Sequence, residues 1–157
     1  MPTTIEVRGL DSLIARMSQY PQKLLAAMRT TVEASLYVLW ENVPPYPPEP
    51  PESTYTRRGI LGKTLGGSMA GGRSGEKPDI FELRELGSSA EGALVEGRFG
   101  TRLEYAPYVI GDNEQAWMHA GRWWTISKVG ERAKGKIIRL FQQLANKMAA
   151  FLDGKGV

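Results

Sequence analysis

The sequence contains no cysteine and only one histidine, His119. Disulfide bonds and thiolate metal sites are therefore excluded, and a zinc site would lack its usual ligands. No apolar run approaches the roughly 20 residues that cross a bilayer. We accordingly expect no metal, no cofactor and no contact with a membrane.

The sequence contains no recognisable catalytic or nucleotide-binding motif. A Gly-Lys-Thr segment at 62–64 matches the end of a phosphate-binding loop, but the motif needs glycine where this chain has Arg57. A serine nucleophile would need His119 as its base, and no G-x-S-x-G segment is present. We expect no enzyme, and a small hydrolase using His119 or paired carboxylates is kept only as a third hypothesis.

Helical spacing dominates both ends of the sequence. Apolar residues recur every three or four positions over 10–43, which predicts helices there, with a new helix beginning at Pro21. The same spacing predicts a C-terminal helix over 128–152, capped by Ser127. The first helical region must end at Pro44 because proline cannot continue a helix.

Between these helices the hydrophobic period changes to two. The segments IFELREL (80–86) and ALVEGRFG (93–100) alternate in polarity, which predicts an antiparallel hairpin. The aromatic segment 116–126 is interpreted as another strand and 60–65 as a short one, so that 80–126 is expected to be mainly β. The sequence therefore predicts a single α+β domain over 1–157, with a small antiparallel β-sheet packed against long N-terminal and C-terminal helices.

Proline and glycine are concentrated in the middle of the chain. Six prolines fall between residues 44 and 51, in a stretch that suits a linker, a ligand for a proline-reading domain or a stiff arm. We interpret 44–54 as a Pro-rich arm whose deletion would damage assembly more than folding. Half of residues 66–75 are glycine, which predicts a Gly-rich mobile loop over 66–78.

The charge is mildly basic, at +3 from 20 basic and 17 acidic residues. The basic residues cluster over 57–77 and 128–136, where they form either a solvated surface or a face that meets an acidic partner. Tryptophans at 117, 123 and 124 have side chains that can stack on nucleobases. A nucleic-acid-binding module using these Arg, Lys and Trp residues is therefore the alternative function.

Two segments together resemble a known family, the tail-completion or neck proteins of tailed bacteriophages and prophages. YPPEPPESTYTRRGILGKTL (46–65) is similar to that family's proline run, tyrosine, arginine and glycine turn. YAPYVIGDNEQAWMHAGRWWTI (105–126) resembles its second signature, a Tyr-Ala-x-Tyr-Val element that leads to a glycine. The chain departs from the pattern at Arg58, where many members have threonine, and at Ile110, where many have an acidic residue.

The resemblance implies a structural virion protein in the tail or neck, made in the bacterial host cytoplasm. It would complete the head-proximal end of the tail by forming or joining a ring that links the tail tube to the head connector. The implied partners are further copies of the chain, the tail tube or terminator, and head-connector proteins, with no specific nucleic acid. The residues expected at a protein interface are Tyr46, Tyr55, Arg57, Arg58, Trp117, Arg122, Trp123 and Trp124.

Overall fold

The computed structural model describes residues 10–89 and 92–155. Within these ranges a two-stranded antiparallel sheet packs against the first of two long helices, so the predicted α+β class is confirmed. The elements in chain order are α1 (Leu10–Glu41), α2 (Ile60–Thr64), β1 (Ile80–Ser89), β2 (Gly92–Gly100), α3 (Ala106–Ile110) and α4 (Ile126–Leu152).

Helix α1 is one continuous helix of 32 residues and is about 48 Å long at the usual rise per residue. It includes Pro21, so the prediction that a second helix begins there is wrong. Proline removes one backbone hydrogen bond of the helix. The helical conformation is nevertheless maintained on both sides, because α1 packs against α4 and against both strands.

Helix α4 runs antiparallel to α1, because Arg16 near the start of α1 donates from Nε to the carbonyl oxygen of Leu152 at 3.1 Å. It begins two residues earlier than predicted, with Thr125 rather than Ser127 as the residue before the helix. Asp112 compensates by accepting a hydrogen bond from the backbone N–H of Ser127 at 3.4 Å. Hydrogen bonds from the Ser127 and Thr125 side chains hold the pKa of Asp112 below its usual value.

The hairpin forms as predicted from the alternating pattern, with Phe81 opposite Phe99. On β2, Val95 is buried and Phe99 packs against the core, while Glu96 and Arg98 face solvent. The predicted division between the two faces of β2 is therefore confirmed from Val95 onward. Residues 90 and 91, which fall in the predicted turn, lie outside the described ranges.

The remaining predicted strands are wrong. Residues 60–64 form helix α2, and residues 116–125 form turns rather than a strand bulged at Gly121. Their backbone groups are satisfied locally, as where the N–H of Trp123 donates to the carbonyl of His119 at 2.8 Å. Local bonding of this kind leaves no ladder for a neighbouring strand, so β structure in the region 80–126 ends at Gly100.

The hydrophobic core is small and lies at the end of the helix pair where α1 finishes and α4 begins. The short helices α2 and α3 fill this end. Its buried members are Val43, Leu61, Leu65, Ala106, Ile110 and Val129. Across the described residues, no helix combines the length and the apolar character needed to cross a membrane.

The chain exposes far more surface than its mass requires. Its solvent-accessible surface is 10914 Å², whereas a compact protein of 17.4 kDa exposes about 7,900 Å². The thirteen residues outside the described ranges cannot explain the difference of about 3,000 Å², since even an unfolded chain of that length exposes only about 2,000 Å². At least about 1,000 Å² of this excess therefore lies on the described residues.

Candidate protein-binding groove

The Pro-rich segment is folded back onto the core. The Tyr46 ring packs on Trp123 with 4.8 Å between ring centroids, and its hydroxyl accepts a hydrogen bond from the N–H of Gly62 at 2.6 Å. The backbone N–H of Tyr46 donates to the carbonyl of Met69 at 2.7 Å. Burial raises the pKa of the Tyr46 phenol, so this ring stays neutral at ordinary pH.

Arg57 links the Pro-rich segment to Trp123. Its side chain is only 13% exposed, and its guanidinium lies 5.4 Å from the ring centroid of Trp123. It donates hydrogen bonds to the carbonyl oxygens of Pro47 and Pro48 and lies 3.6 Å from a carboxylate oxygen of Glu49. Arg57 therefore holds the proline segment in place and is not available as a free contact residue.

The Gly-rich segment packs against the end of α1 and the start of the Pro-rich segment. The N–H of Gly72 donates to the carbonyl of Val43 at 2.8 Å, and the Arg73 guanidinium lies 4.7 Å from the ring centroid of Trp40. Gly71 has a φ of +79°, and a Cβ there would lie 2.5 Å from the nitrogen of Pro45, so only glycine fits. These contacts define one position for the segment, while its predicted mobility stays a prediction.

Together these contacts form a cavity of about 550 Å³, which we call the aromatic groove. Both segments that carry the family resemblance contribute to its walls. The residues that shape it most are Tyr46, Tyr55, Tyr105, Met118, Arg122 and Trp123. No aspartate or glutamate is among its described lining residues, whereas Arg58 and Arg122 line it beside the paired Arg57, so the groove is partly apolar and positively charged.

His119 lies in the wall of the aromatic groove. Its ring stands edge-on to Trp123, with 6.0 Å between centroids, and its Nδ1 atom is buried without a hydrogen-bond partner among the described residues. Burial and the nearby charge of Arg122 lower the pKa of His119. Across the described ranges, no group of three or more His, Asp or Glu side chains is arranged to hold a metal ion.

Six of the eight predicted interface residues line the aromatic groove: Tyr46, Tyr55, Arg57, Arg58, Arg122 and Trp123. Trp124 instead packs on the core, and its Nε1 donates to the carbonyl of Pro45 at 3.1 Å. Trp117 is not among the lining residues and is 85% exposed. Sequence reasoning missed Tyr105, Val109 and Met118, although the first two lie within the Tyr-Ala-x-Tyr-Val element itself.

A comparison of the chain with family models gives no match, and comparisons with curated proteins and with solved structures give none either. The resemblance to tail-completion proteins therefore rests on the two segments in the sequence. The structure adds that these segments meet in space, with Tyr46 and Trp123 in direct contact.

Proposed function

We propose that the chain is a structural subunit of a phage virion that completes the head-proximal end of the tail. It forms or joins a ring in the neck, linking the tail tube to the head connector. The observation that carries this proposal is that the two family-like segments, separated by residues 66–104, build one exposed groove. If both segments form the same binding surface, this explains why two segments that are distant in the sequence would both resemble motifs of one family.

The size of the surface supports an assembly role. The described residues carry at least about 1,000 Å² of surface beyond that of a compact protein, and a standard interface removes about 800 Å² from each partner. A subunit in a ring has two neighbours, and it has further contacts with the tail and the connector. An excess of about 1,000 Å² corresponds to about one such interface.

The composition of the groove supports a protein partner. Tyrosine, tryptophan and arginine are the residues that most often carry binding energy at interfaces. Tyr55 is 69% exposed at the groove, and Arg58 and Arg122 line it without a carboxylate partner among the described residues. An acidic, partly apolar surface of the tail tube, the terminator or the head connector would complement it.

Binding of nucleic acid has less support from the described residues. Arg84, Arg98 and Arg102 all lie within 4 Å of the carboxylate of Glu82, and Lys128 pairs with Glu131. Trp123 and Trp124 are partly buried against the core, whereas Trp117 is 85% exposed and is the tryptophan most open to stacking. A gel-shift experiment at about 50 mM salt, where phosphate contacts are strongest, tests this alternative directly.

Gene deletion in the phage that encodes the chain tests the proposal. We expect filled heads and separate tails that do not join, with infectivity restored when the wild-type protein is supplied in trans. Tyr55→Ala combined with Arg122→Ala is expected to restore infectivity poorly, and Arg84→Ala on the hairpin is the matched control. Normal infectious particles from the deletion would contradict the proposed function.

A further inference from the structure

We propose that copies of the chain join head to tail by inserting Trp117 of one copy into the groove between α1 and α4 of the next. This inference rests on the proposed assembly role and specifies its subunit contact. Trp117 and the acceptor groove are both open to solvent, and neither belongs to the aromatic groove.

The acceptor is a cavity of about 740 Å³ between the first half of α1 and the second half of α4, which we call the helix groove. Its α1 wall includes the small residues Ala26, Ala27 and Thr30 in addition to Arg16 and Lys23. Leu144 and Phe151 of α4 provide apolar surface opposite them. The helix groove therefore has the volume and the apolar surface to receive a large aromatic side chain.

The charge around the helix groove has one sign. Arg16, Lys23 and Lys147 line it, and its described lining residues include no aspartate or glutamate. An occupant that combines an aromatic anchor with a carboxylate would therefore fit better than a purely apolar one.

The segment around Trp117 has this combination. Trp117 is 85% exposed, Met118 beside it is 51% exposed, and Glu114 stands exposed three residues earlier. The segment is held in shape, since the N–H of Ala116 donates to the carbonyl of Tyr108 at 2.8 Å. An exposed tryptophan on a fixed turn loses little conformational entropy on binding, which favours it as an interface anchor.

The two surfaces lie at opposite ends of the helix pair. The helix groove uses α1 residues 16–34 and the end of α4, whereas the Trp117 segment packs beside Tyr46 and Trp123, just beyond the end of α1. Trp117 therefore cannot fill the helix groove of its own chain. A contact between different surfaces of identical copies is heterologous, and it closes into a ring when the rotation between neighbours permits.

The absence of native cysteine allows a specific cross-linking test. One variant carries Met118→Cys and the other carries Ala27→Cys, and the two are mixed at high concentration with a short bismaleimide. We expect a covalent dimer containing one copy of each variant. Adding Trp117→Ala to the first variant should lower the dimer yield at least about tenfold, as for loss of a central anchor.

Two controls separate this contact from unspecific association. Glu96→Cys on the exposed hairpin face replaces Ala27→Cys and should give only background cross-linking. Thr30→Trp fills the helix groove from an exposed position and should abolish the dimer, whereas Gln22→Trp, exposed on α1 outside the groove lining, should not. Circular dichroism of each variant verifies folding.

A cross-linking yield that equals the Glu96→Cys background, or that is unchanged by Trp117→Ala, would overturn the proposed contact. A single chain carrying both Met118→Cys and Ala27→Cys should give a ladder of products that stops at the size of a closed ring. Phage complementation is scored separately. Infectivity lost on gene deletion together with background cross-linking would leave the proposed function intact and reject only this contact.

Discussion

Arg57 and Arg58 are neighbours in the sequence but occupy opposite environments. Arg57 is enclosed by Trp123 and the proline carbonyls, whereas Arg58 is exposed at the edge of the aromatic groove. The sequence predicts the same interface role for both. Only the three-dimensional structure distinguishes the structural arginine from the one available to a partner.

Arg57→Ala is expected to lower the free energy of unfolding by about 2 kcal/mol, because it removes charged hydrogen bonds to two carbonyls. Arg58→Ala is the matched control and should stay within about 0.5 kcal/mol of the wild type. Urea denaturation of both variants measures the difference. If Arg57→Ala and Arg58→Ala are equally stable, Arg57 does not stabilise the position of the Pro-rich segment.

His119 gives the fold a specific dependence on pH. Its pKa is lowered in the folded state, so the unfolded chain takes up this proton first as the pH falls. The stability from keeping His119 neutral is complete above its unfolded pKa of about 6.5 and is progressively lost below it. His119→Gln should therefore reduce the loss of stability between about pH 7.5 and pH 5.5, measured as the shift in urea midpoint. An identical shift in both proteins would contradict the lowered pKa.

At the scale of elements, the contact between the hairpin and α1 depends on one glycine. A Cβ at Gly97 would lie 2.7 Å from Val32 and 3.1 Å from Leu36, so the strand reaches the helix only because the side chain is absent. Gly135 on α4 is the opposite case, since a Cβ there would meet no atom within 4 Å.

Gly97→Ala is expected to destabilise the protein by about 1–3 kcal/mol, because the added methyl group overpacks the contact. Gly135→Ala should stabilise it by about 0.5–1 kcal/mol through higher helix propensity. Thermal unfolding of both variants and the wild type in one buffer measures these changes in stability, which we expect to be a decrease for Gly97→Ala and an increase for Gly135→Ala. A neutral Gly97→Ala would mean that the hairpin is not tightly packed on α1.

At the scale of the whole molecule, the Pro-rich segment is held against the core by Pro44 and Tyr46, while residues 48–54 are exposed. The 44–51 stretch contains Tyr46, and Pro45 accepts the hydrogen bond of Trp124. The expectation that its deletion would damage assembly more than folding stays a prediction, and these contacts lead us to expect a loss of stability as well.

Deletion of residues 44–51 should lower the free energy of unfolding by about 3 kcal/mol or more, as for loss of a packed aromatic side chain. Tyr46→Ala alone should account for much of this loss. Glu52→Ala, an exposed change just outside the deleted stretch, is the control and should be nearly neutral. A deletion variant as stable as the wild type would restore the interpretation of 44–54 as an independent arm.

The sequence by itself determined that both ends of the chain are helical, that a hairpin with two distinct faces lies between them, and that six of the predicted residues line the aromatic groove. These features follow from local periodicity, from proline and glycine, and from residue chemistry. Only the tertiary structure decided that residues 60–64 are helical, that 116–125 form turns, and that Arg57 is enclosed while Trp117 is exposed. Burial and hydrogen bonding depend on neighbours distant in the chain, such as Tyr46 against Trp123, and no local pattern contains that information.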